Sequence, residues 1–382
     1  MQLKEKLHRL SMQNRTRTRM PLSKRDANLI TIDGRVALNF ASNDYLGLIK
    51  EPSITQALIE GARRYGVGSA SSSLICGYFD SQKQVEEAFA EWLGVDRTLY
   101  FNSGYLANLG VLTTLADRNT TLLSDKYCHA SLLDGITLSR ARHHRYAHHD
   151  MQALEHLAQQ KKPDVIVTES IFSMEGHITD LSKLRNIAKQ SGATLILDDA
   201  HGLGILGQHG RGILEHDPHL QQQNTCVIAP LGKAFNAIGA IVAGQKDRIE
   251  AILQTASTYR YTTALPPALA CALNAALIRV KKDHWRREVL YERIDYFKKE
   301  ALLRDLPLTS SDRSPIQSIL VGDNPRVLKL QKSLLHAGFF VACIRPPTVP
   351  QGKARLRISL NCLHTPKDIL LLLNTLHQEL TS

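Results

Sequence analysis

The sequence predicts an α/β protein, with a large and mostly parallel β-sheet covered by helices on both faces and a smaller α/β lobe at the C-terminus. The first observation is that short apolar runs, such as 165–168 and 194–198, alternate with amphipathic stretches such as 181–190. Strand, helix and strand in repetition are typical of a parallel sheet. The second observation is that longer helical stretches replace this pattern from about residue 266.

A β-hairpin is predicted at residues 29–40, because Asp33 and Gly34 supply two turn residues between alternating flanks. Further strands are predicted at 98–101, 226–229, 239–243 and 316–321 and near residues 341 and 356. Further helices are predicted at 84–93, 267–281, 285–304, 325–337 and 366–380. We therefore expect an N-terminal segment with the hairpin (1–45), a large domain (46–265) and a small C-terminal domain (266–382). The N-terminal segment is expected to pack on the C-terminal domain or on a dimer partner.

The composition is that of a globular protein, since 43% of the 382 residues are hydrophobic and 22% are charged. It excludes intrinsic disorder as the main state. No apolar run is long enough to cross a bilayer, and the N-terminus lacks the apolar stretch of a secretory signal. The 6 cysteines include no CxxC pair, which favours reduced thiols. We expect a cytoplasmic protein without a membrane partner.

The charge balance is basic, with 47 Lys and Arg against 36 Asp and Glu and a formal net charge of +11. The basic residues are mostly dispersed. The densest group, Arg15, Arg17, Arg19, Lys24 and Arg25, has no interleaved aromatic residues, so we expect no nucleic-acid partner. A basic surface suits an acidic substrate, such as a CoA thioester or an acidic carrier protein.

Polar residues follow two of the predicted strands, at the sheet edge where α/β proteins bind ligands. Asp198 ends one strand, His201 follows three residues later, and Lys233 lies in the loop after the next strand. Taken singly, an aspartate that caps a turn, a satisfied histidine and a surface lysine are the commoner interpretations. Together, Asp198 and Lys233 are the groups that pyridoxal phosphate (PLP) requires, because a lysine forms its Schiff base and an aspartate keeps its pyridine nitrogen protonated.

A phosphate site is expected at residues 102–108, where a glycine-containing turn follows a strand and opens a helix. His129 could stack on a flat ring, and Ser173 could form a hydrogen bond near a ring substituent. The paired histidines at 143–144 and 148–149 have no cysteine or carboxylate at zinc spacing. We therefore expect a strand and a polar turn there, and no metal site.

The chain resembles the α-oxoamine synthases, a family of fold-type-I PLP-dependent transferases. The resemblance rests on segments that together span most of the chain: 40–48 (FASNDYLGL), 102–105 (NSGY), 124–131 (SDKYCHAS), 198–204 (DDAHGLG) and 231–235 (LGKAF). It implies the fold-type-I architecture, PLP as the cofactor and a homodimer.

The resemblance also implies a role for each candidate residue. Lys233 carries the Schiff base and acts as the base, and Asp198 pairs with the pyridine nitrogen. The other implied cofactor contacts are His201 and Ser173 at the ring oxygen, His129 stacked on the ring, Gly104 and Tyr105 at the phosphate, and Thr262 and Thr263 at the phosphate from the second subunit. The implied substrate contacts are His129, Thr348, Arg357 at the amino-acid carboxylate, and Arg17, for which Arg15 or Arg19 could serve instead.

Within the family, residues 344–350 and 354–357 are most similar to the branch that acts in biotin biosynthesis. That branch condenses L-alanine with a pimeloyl thioester of CoA or of acyl carrier protein, so an acyltransferase is expected. Two alternatives stay open. One is another α-oxoamine synthase, such as glycine C-acetyltransferase, and the other is a degenerate member that binds ligands without turnover.

The sequence departs from the family pattern at four places. Pro230 stands where a hydroxyl residue is usual, and because proline offers neither a hydroxyl nor an N–H, one phosphate hydrogen bond should be lost. Residues 70–71 (Ala-Ser) replace a Gly-Gly pair, Gln82 replaces a histidine and Asn236 replaces a glycine. We expect these changes to affect cofactor affinity and loop geometry rather than the type of reaction.

Overall fold

The computed structural model describes residues 3–222 and 224–381, and its strands form three sheets. The strands are β1 (Leu22–Asp26), β2 (Leu29–Ile32), β3 (Arg35–Asn39), β4 (Arg97–Phe101), β5 (Thr121–Asp125), β6 (Arg142–Tyr146), β7 (Val165–Glu169), β8 (Thr194–Asp198), β9 (Thr225–Pro230), β10 (Ala240–Gly244), β11 (Ile316–Gly322), β12 (Phe339–Phe340), β13 (Ala342–Ile344) and β14 (Ala354–Ser359).

The helices are α1 (Leu3–Met12), α2 (Pro52–Tyr65), α3 (Asp80–Leu93), α4 (Gly104–Leu115), α5 (Ala130–Ser139), α6 (Met151–Lys161), α7 (Leu181–Ser191), α8 (Ile213–His216), α9 (Lys246–Thr255), α10 (Ser257–Arg260), α11 (Pro267–Lys282), α12 (His284–Leu302), α13 (Asn324–His336) and α14 (Pro366–Thr381). A short 3₁₀ helix covers Pro218–Gln222. None of the helices in the described ranges has the length and apolar character that a bilayer crossing requires.

The chain divides into two compact units. Within the described residues, the first unit contains 3–49, 173–177 and 285–381, and the second contains 50–172, 178–222 and 224–284. Residues 3–49 therefore group with residues 285–381 of the same chain, whereas residues 266–284 group with the unit that holds the seven-stranded sheet.

The second unit is built on a seven-stranded sheet in the order β4-β10-β9-β8-β7-β5-β6. The strands from β9 to β6 are parallel, and β10 is antiparallel to both of its neighbours. This confirms the predicted mostly parallel sheet. Buried apolar side chains from β4, β9, β10 and helices α4, α5 and α9 form a continuous core against it. The order places the carboxyl ends of β4, β7, β8 and β9 at one edge.

The first unit holds two small sheets, in the orders β1-β2-β3-β12 and β11-β14-β13. The predicted hairpin is confirmed, because β2 and β3 pair antiparallel around Asp33 and Gly34. Both turn residues have positive φ, 48° and 75°, as the tight hairpin turn requires. Strand β12 pairs parallel to β3, so the hairpin and the C-terminal residues share a sheet.

The histidine-rich stretch is a strand and a turn, as predicted. His143 and His144 lie on β6, and His148 and His149 lie in the turn that precedes α6. His148 Nδ1 lies 2.9 Å from Asp125 Oδ1, and His149 Nε2 lies 2.9 Å from the carbonyl oxygen of Ile178. These side chains therefore tie loops of the second unit together.

Asp199 holds the turn that follows β8. Its Oδ2 accepts a hydrogen bond of 2.9 Å from the N–H of Ile213, at the start of α8, and the buried carboxyl also interacts with the hydroxyl of Ser170. A Cβ at Gly202 or Gly212 would lie about 2 Å from one of the two carboxyl oxygens, so the turn closes tightly around this side chain. Burial raises the pKa of Asp199 to about 7.

We expect Asp199→Asn to remove a pH-dependent loss of stability. The folded chain keeps the proton up to about pH 7, whereas the unfolded chain releases it near the ordinary pKa of 3.8. Stability is therefore complete below about pH 4 and falls as the pH rises to 7, by at most about 4 kcal/mol at about 1.4 kcal/mol per pKa unit. Asparagine is neutral throughout this pH range. In urea unfolding of the cofactor-free protein, the free energy of unfolding of the variant should therefore rise relative to that of the wild type as the pH increases.

The control is Asp247→Asn, which removes an exposed carboxylate at the start of α9. It should leave the pH profile of unfolding unchanged. Parallel pH profiles for Asp199→Asn and the wild type would contradict the assignment.

Candidate active site

Four polar residues stand at the carboxyl edge of the seven-stranded sheet. Glu169 and Asp198 end the neighbouring strands β7 and β8 and are paired in register. His129 is the N-cap residue of α5, and Lys233 lies in the loop after β9. The charges of both Asp198 and Lys233 act on the imidazole of His129. The structure therefore brings together three of the predicted site residues, and Glu169 joins them.

Asp198 is a buried carboxyl whose two oxygens accept hydrogen bonds from neutral groups. Its Oδ1 accepts from the N–H of Ala200 at 2.9 Å, and its Oδ2 accepts from Nδ2 of Asn108 at 2.8 Å. Both Asp198 and Asn108 are almost fully buried. Neutral donors orient this carboxyl without neutralising its charge, so it can still interact with a cation.

A hydrogen-bond chain connects Asp198 with His129. Asn108 Nδ2 also donates to Ser131 Oγ at 2.8 Å, and Ser131 Oγ lies 2.7 Å from Nδ1 of His129. The N–H of Ser131 donates to the same Nδ1. Nδ1 is therefore an acceptor, and the ring hydrogen of the neutral imidazole lies on Nε2. Burial lowers the pKa of His129, which favours this neutral form.

Glu169 was not predicted from the sequence, although it ends a buried strand in the same way as Asp198. Its Oε1 accepts a hydrogen bond of 2.6 Å from the N–H of His129. Burial, and next the charge of Asp198, raise the pKa of Glu169 well above its usual range. The raised pKa favours the protonated, neutral form of Glu169 beside Asp198.

Lys233 lies in a tight loop and is partly buried. Its carbonyl oxygen accepts a hydrogen bond of 2.9 Å from the N–H of Asn236, and Asn236 has a φ of 47°. Asparagine tolerates this left-handed conformation better than most residues, which explains how it can replace glycine here. His201 is buried in the turn after Asp198.

The start of α4 offers an anion site. Ser103 caps this helix by accepting a hydrogen bond from the N–H of Leu106. The first N–H groups of a helix, here those of Gly104 and Tyr105, have no partners within the helix and suit a phosphate. A Cβ at Gly104 would lie 2.5 Å from Cγ of Pro230, so only glycine fits beside the Pro230 ring. The Tyr105 side chain is partly exposed, and its hydroxyl donates to Asp134.

Thr262 and Thr263 lie in an irregular segment of the second unit. Asn102 of the same chain donates from Nδ2 to the carbonyl oxygen of Thr263 at 2.6 Å and to Oγ1 of Thr262 at 3.4 Å. Since Asn102 immediately precedes the turn that opens α4, both threonines are tied to that turn. Asn102 and Asn108 both lie in the stretch from which the phosphate site was predicted.

Arg357 lies in the first unit, on β14, and is buried. Its guanidinium donates to the carbonyl oxygen of Ser173 at 2.5 Å, to Ser359 Oγ at 3.0 Å and to Asn43 Oδ1 at 3.1 Å. The three acceptors are neutral, so the cation keeps its charge for an anionic ligand such as a carboxylate. Asn43 was quoted in the motif at 40–48 but was not predicted as a site residue.

The residues that follow Ser173 fix its position close to Arg357. The carbonyl oxygen of Met174 accepts from Ser318 Oγ at 2.7 Å. The carboxylate of Glu175 pairs with Arg355 at 2.9 Å, and both side chains are buried. The ring contact and the carboxylate contact that were predicted separately thus belong to one unit of the structure.

Arg17 is the N-terminal arginine that contacts the loop carrying Thr348. It donates to the carbonyl oxygen of Arg345 at 3.3 Å, and Arg345 in return donates to the carbonyl oxygens of Asn14 and Thr16. The N–H of Thr348 donates to the carbonyl oxygen of Arg345 at 3.1 Å. Arg15 instead donates to Gln13, on the exposed side of the segment.

Comparisons with known proteins agree with this geometry. The family described as aminotransferase class I and II matches residues 35–376. An 8-amino-7-oxononanoate synthase of Pseudomonas putida is 46% identical over 348 residues, which cover 91% of this chain and 89% of that protein. One of Nitrosomonas europaea is 42% identical over 371 residues, or 96% of each chain.

Solved structures show the same fold. An 8-amino-7-oxononanoate synthase of Francisella tularensis has a TM-score of 0.80 at 33% identity, covering 90% of this chain and 98% of that one. Serine palmitoyltransferase of S. paucimobilis, in a structure with bound PLP, has a TM-score of 0.92 at 25% identity and covers 99% and 96%. The chain therefore belongs to the aminotransferase class I and II family and, within it, to the family of the 8-amino-7-oxononanoate synthases. Its fold is the fold-type-I transferase fold that the sequence predicted.

Proposed function

We propose that the chain is a PLP-dependent acyltransferase of biotin biosynthesis. It condenses L-alanine with a pimeloyl thioester and releases 8-amino-7-oxononanoate, CO2 and the free thiol. The observation that carries this proposal is the hydrogen-bond chain from buried Asp198 through Asn108 and Ser131 to His129. Asn108 lies on α4, the helix whose N-terminus suits a phosphate. The names and high coverage of the relatives support the same reaction.

The residues at the sheet edge fit PLP. Bound there, PLP supplies an electron sink for negative charge at the substrate α-carbon. Asp198, held by Asn108 and the N–H of Ala200, would accept a hydrogen bond from the pyridine nitrogen and favour its protonated form. Lys233 would hold the cofactor, and its amine would act as the base toward the α-proton of alanine.

The remaining cofactor contacts are those that the resemblance implies. Neutral His129 would stack on the ring without adding charge. His201 and Ser173 would bind at the ring oxygen, and the N–H groups of Gly104 and Tyr105 would bind the phosphate. Thr262 and Thr263 bind the phosphate of the second subunit.

Arg357 binds the substrate carboxylate, because its charge is buried and its acceptors are neutral. Asn43 orients the guanidinium from one side. Arg17 and Thr348 contact the acyl substrate. The net charge of +11 favours encounter with either anionic acyl donor, pimeloyl-CoA or pimeloyl-acyl carrier protein.

The product identifies the reaction. The protein loaded with PLP is incubated with pimeloyl-CoA and, in separate reactions, with L-alanine, glycine or L-serine, and the products are measured by mass spectrometry. We expect 8-amino-7-oxononanoate from alanine and at least tenfold less product from the other amino acids. A preference for glycine would favour another α-oxoamine synthase, such as glycine C-acetyltransferase.

A second measurement separates an enzyme from a protein that only binds ligands. Borohydride reduction followed by peptide mapping should find the pyridoxyl group on Lys233 and none in Lys233→Ala. A wild-type protein without this adduct would support the binding protein instead.

Pro230→Thr should tighten PLP binding. Threonine would add a hydroxyl donor beside Gly104, where the phosphate binds, and a hydrogen bond to a charged group contributes about 1.5–3 kcal/mol. A decrease of about tenfold or more in the Kd for PLP is expected from an absorbance titration, since about 1.4 kcal/mol is a factor of ten. Pro230→Val has a similar shape without the hydroxyl and should show no such gain. Equal affinities for the two variants would contradict this account of Pro230.

We infer that the protein is a homodimer in the cytoplasm. Val67, Ile75 and Tyr261 of the second unit expose 91%, 80% and 76% of their surface, which is typical of a face that a partner covers. The N–H of Ala264 donates to the carbonyl oxygen of Ser71, so the loop with Ile75 lies against the segment with Tyr261. The six cysteines are all free thiols, which suits a reducing compartment.

Sedimentation should give twice the chain mass of 42.6 kDa. Ile75→Glu should weaken the dimer and also PLP binding, because Thr262 and Thr263 then no longer reach the second subunit. Leu302→Glu places the same charge on an exposed residue of the first unit and serves as the control. A wild-type monomer that binds PLP would contradict the inference.

A further inference from the structure

Gln82 is a buried residue of α3 that uses both ends of its side-chain amide. Its Oε1 accepts a hydrogen bond of 2.5 Å from the N–H of Phe79, which caps the helix. Its Nε2 donates to the carbonyl oxygen of Leu265 at 2.7 Å. The side chain is 4% exposed, so water cannot replace either bond readily.

The segment that receives this bond lies outside the helices and strands. Residues 261–266 separate α10 from α11 and contain Thr262 and Thr263. Three further side chains donate to backbone carbonyls of this stretch and its end: Asn102 to Thr263, Ser69 to Ala264 and Ser81 to Pro267. Together with the backbone bond from the N–H of Ala264 to Ser71, these side chains fix the path of this segment.

Among these four donors, Gln82 connects the segment to the start of α3. Leu265 is buried, and its carbonyl lies two residues from Thr263. Gln82 connects this carbonyl to the N-terminal turn of α3, an element that packs on α11 and on β4. A side chain without the donor would remove the shorter of the two hydrogen bonds described for this buried carbonyl. The other is a bond of 3.3 Å from Ser69 Oγ, a hydroxyl that also donates to Ala264.

We propose that Gln82 is a positioning residue for the phosphate end of the cofactor site, which it serves by fixing the segment that presents Thr262 and Thr263. This inference rests on the proposed function, because it uses the phosphate contacts assigned there to the two threonines. Gln82 acts through them and does not contact the cofactor.

The effect should depend on the phosphate, and this provides the test. Gln82→Glu keeps an acceptor for the Phe79 N–H but loses the donor to Leu265. Absorbance titrations then compare PLP with pyridoxal, which has the same ring and aldehyde but no phosphate. We expect the Kd for PLP to rise at least tenfold in Gln82→Glu and the Kd for pyridoxal to change less than twofold.

The matched control is Gln84→Glu. Gln84 lies two residues further along α3 and is exposed, so the variant adds the same charge to the same helix without touching Leu265. Its Kd values for both ligands should equal those of the wild type. Thermal unfolding of each variant without ligand shows whether the fold is kept.

Gln82→His provides a rescue with a pH signature. A neutral imidazole can accept at one ring nitrogen and donate from the other, whereas the protonated ring only donates. At pH 8 the variant should bind PLP within threefold of the wild type. As the pH falls below the ordinary histidine pKa of about 6.5, its affinity relative to the wild type should fall, and this dependence should be absent for pyridoxal.

The outcomes are distinguishable. Equal weakening of PLP and pyridoxal in Gln82→Glu, or no weakening of either, overturns the positioning role while the proposed function stands. A Gln82→Glu protein that does not fold, together with a Gln82→His protein without the pH signature, also overturns it. A wild type that binds neither ligand overturns the proposed function and the positioning role together.

Discussion

A buried negative charge at the end of a central strand is the constraint on which the site depends. Asp198 is enclosed by protein, and a carboxylate in that position costs free energy unless donors or a cation stabilise it. The chain supplies two neutral donors, Asn108 and the N–H of Ala200, which orient the carboxylate and stabilise part of its charge. The rest of the stabilisation is left to a cationic ligand, which is the reason that a protonated heteroaromatic ring suits the position.

The first unit contains the corresponding feature with a positive charge. Arg357 is a buried cation with three neutral acceptors, so it stays available to a carboxylate. Glu175 and Arg355 show the contrast, because there the buried charges meet each other at 2.9 Å and serve structure. We therefore propose ligand contacts for Asp198 and Arg357, whose hydrogen-bond partners are neutral, and a structural role for the Glu175–Arg355 pair.

The sequence predicted the features that depend on local patterns. The parallel sheet follows from the alternation of apolar runs and amphipathic stretches, the hairpin follows from Asp33-Gly34, and Asp198 and Lys233 are visible because each lies at or after a strand end. The connection from Asp198 through Asn108 and Ser131 to His129 could not be predicted. It joins residues up to 90 positions apart, and only the folded packing of α4 and α5 against the sheet brings them together.

The contact of Gly104 with Pro230 sets the order in which this site can evolve. With the pyrrolidine ring in place, any side chain at position 104 would overlap it, so glycine is retained there whether or not phosphate binding needs it. Replacement of the proline has to come first, and only then is position 104 free to vary. A scan of single substitutions in a chain that keeps Pro230 would therefore show that glycine is required at position 104. Part of that requirement comes from the Pro230 ring and not from phosphate binding.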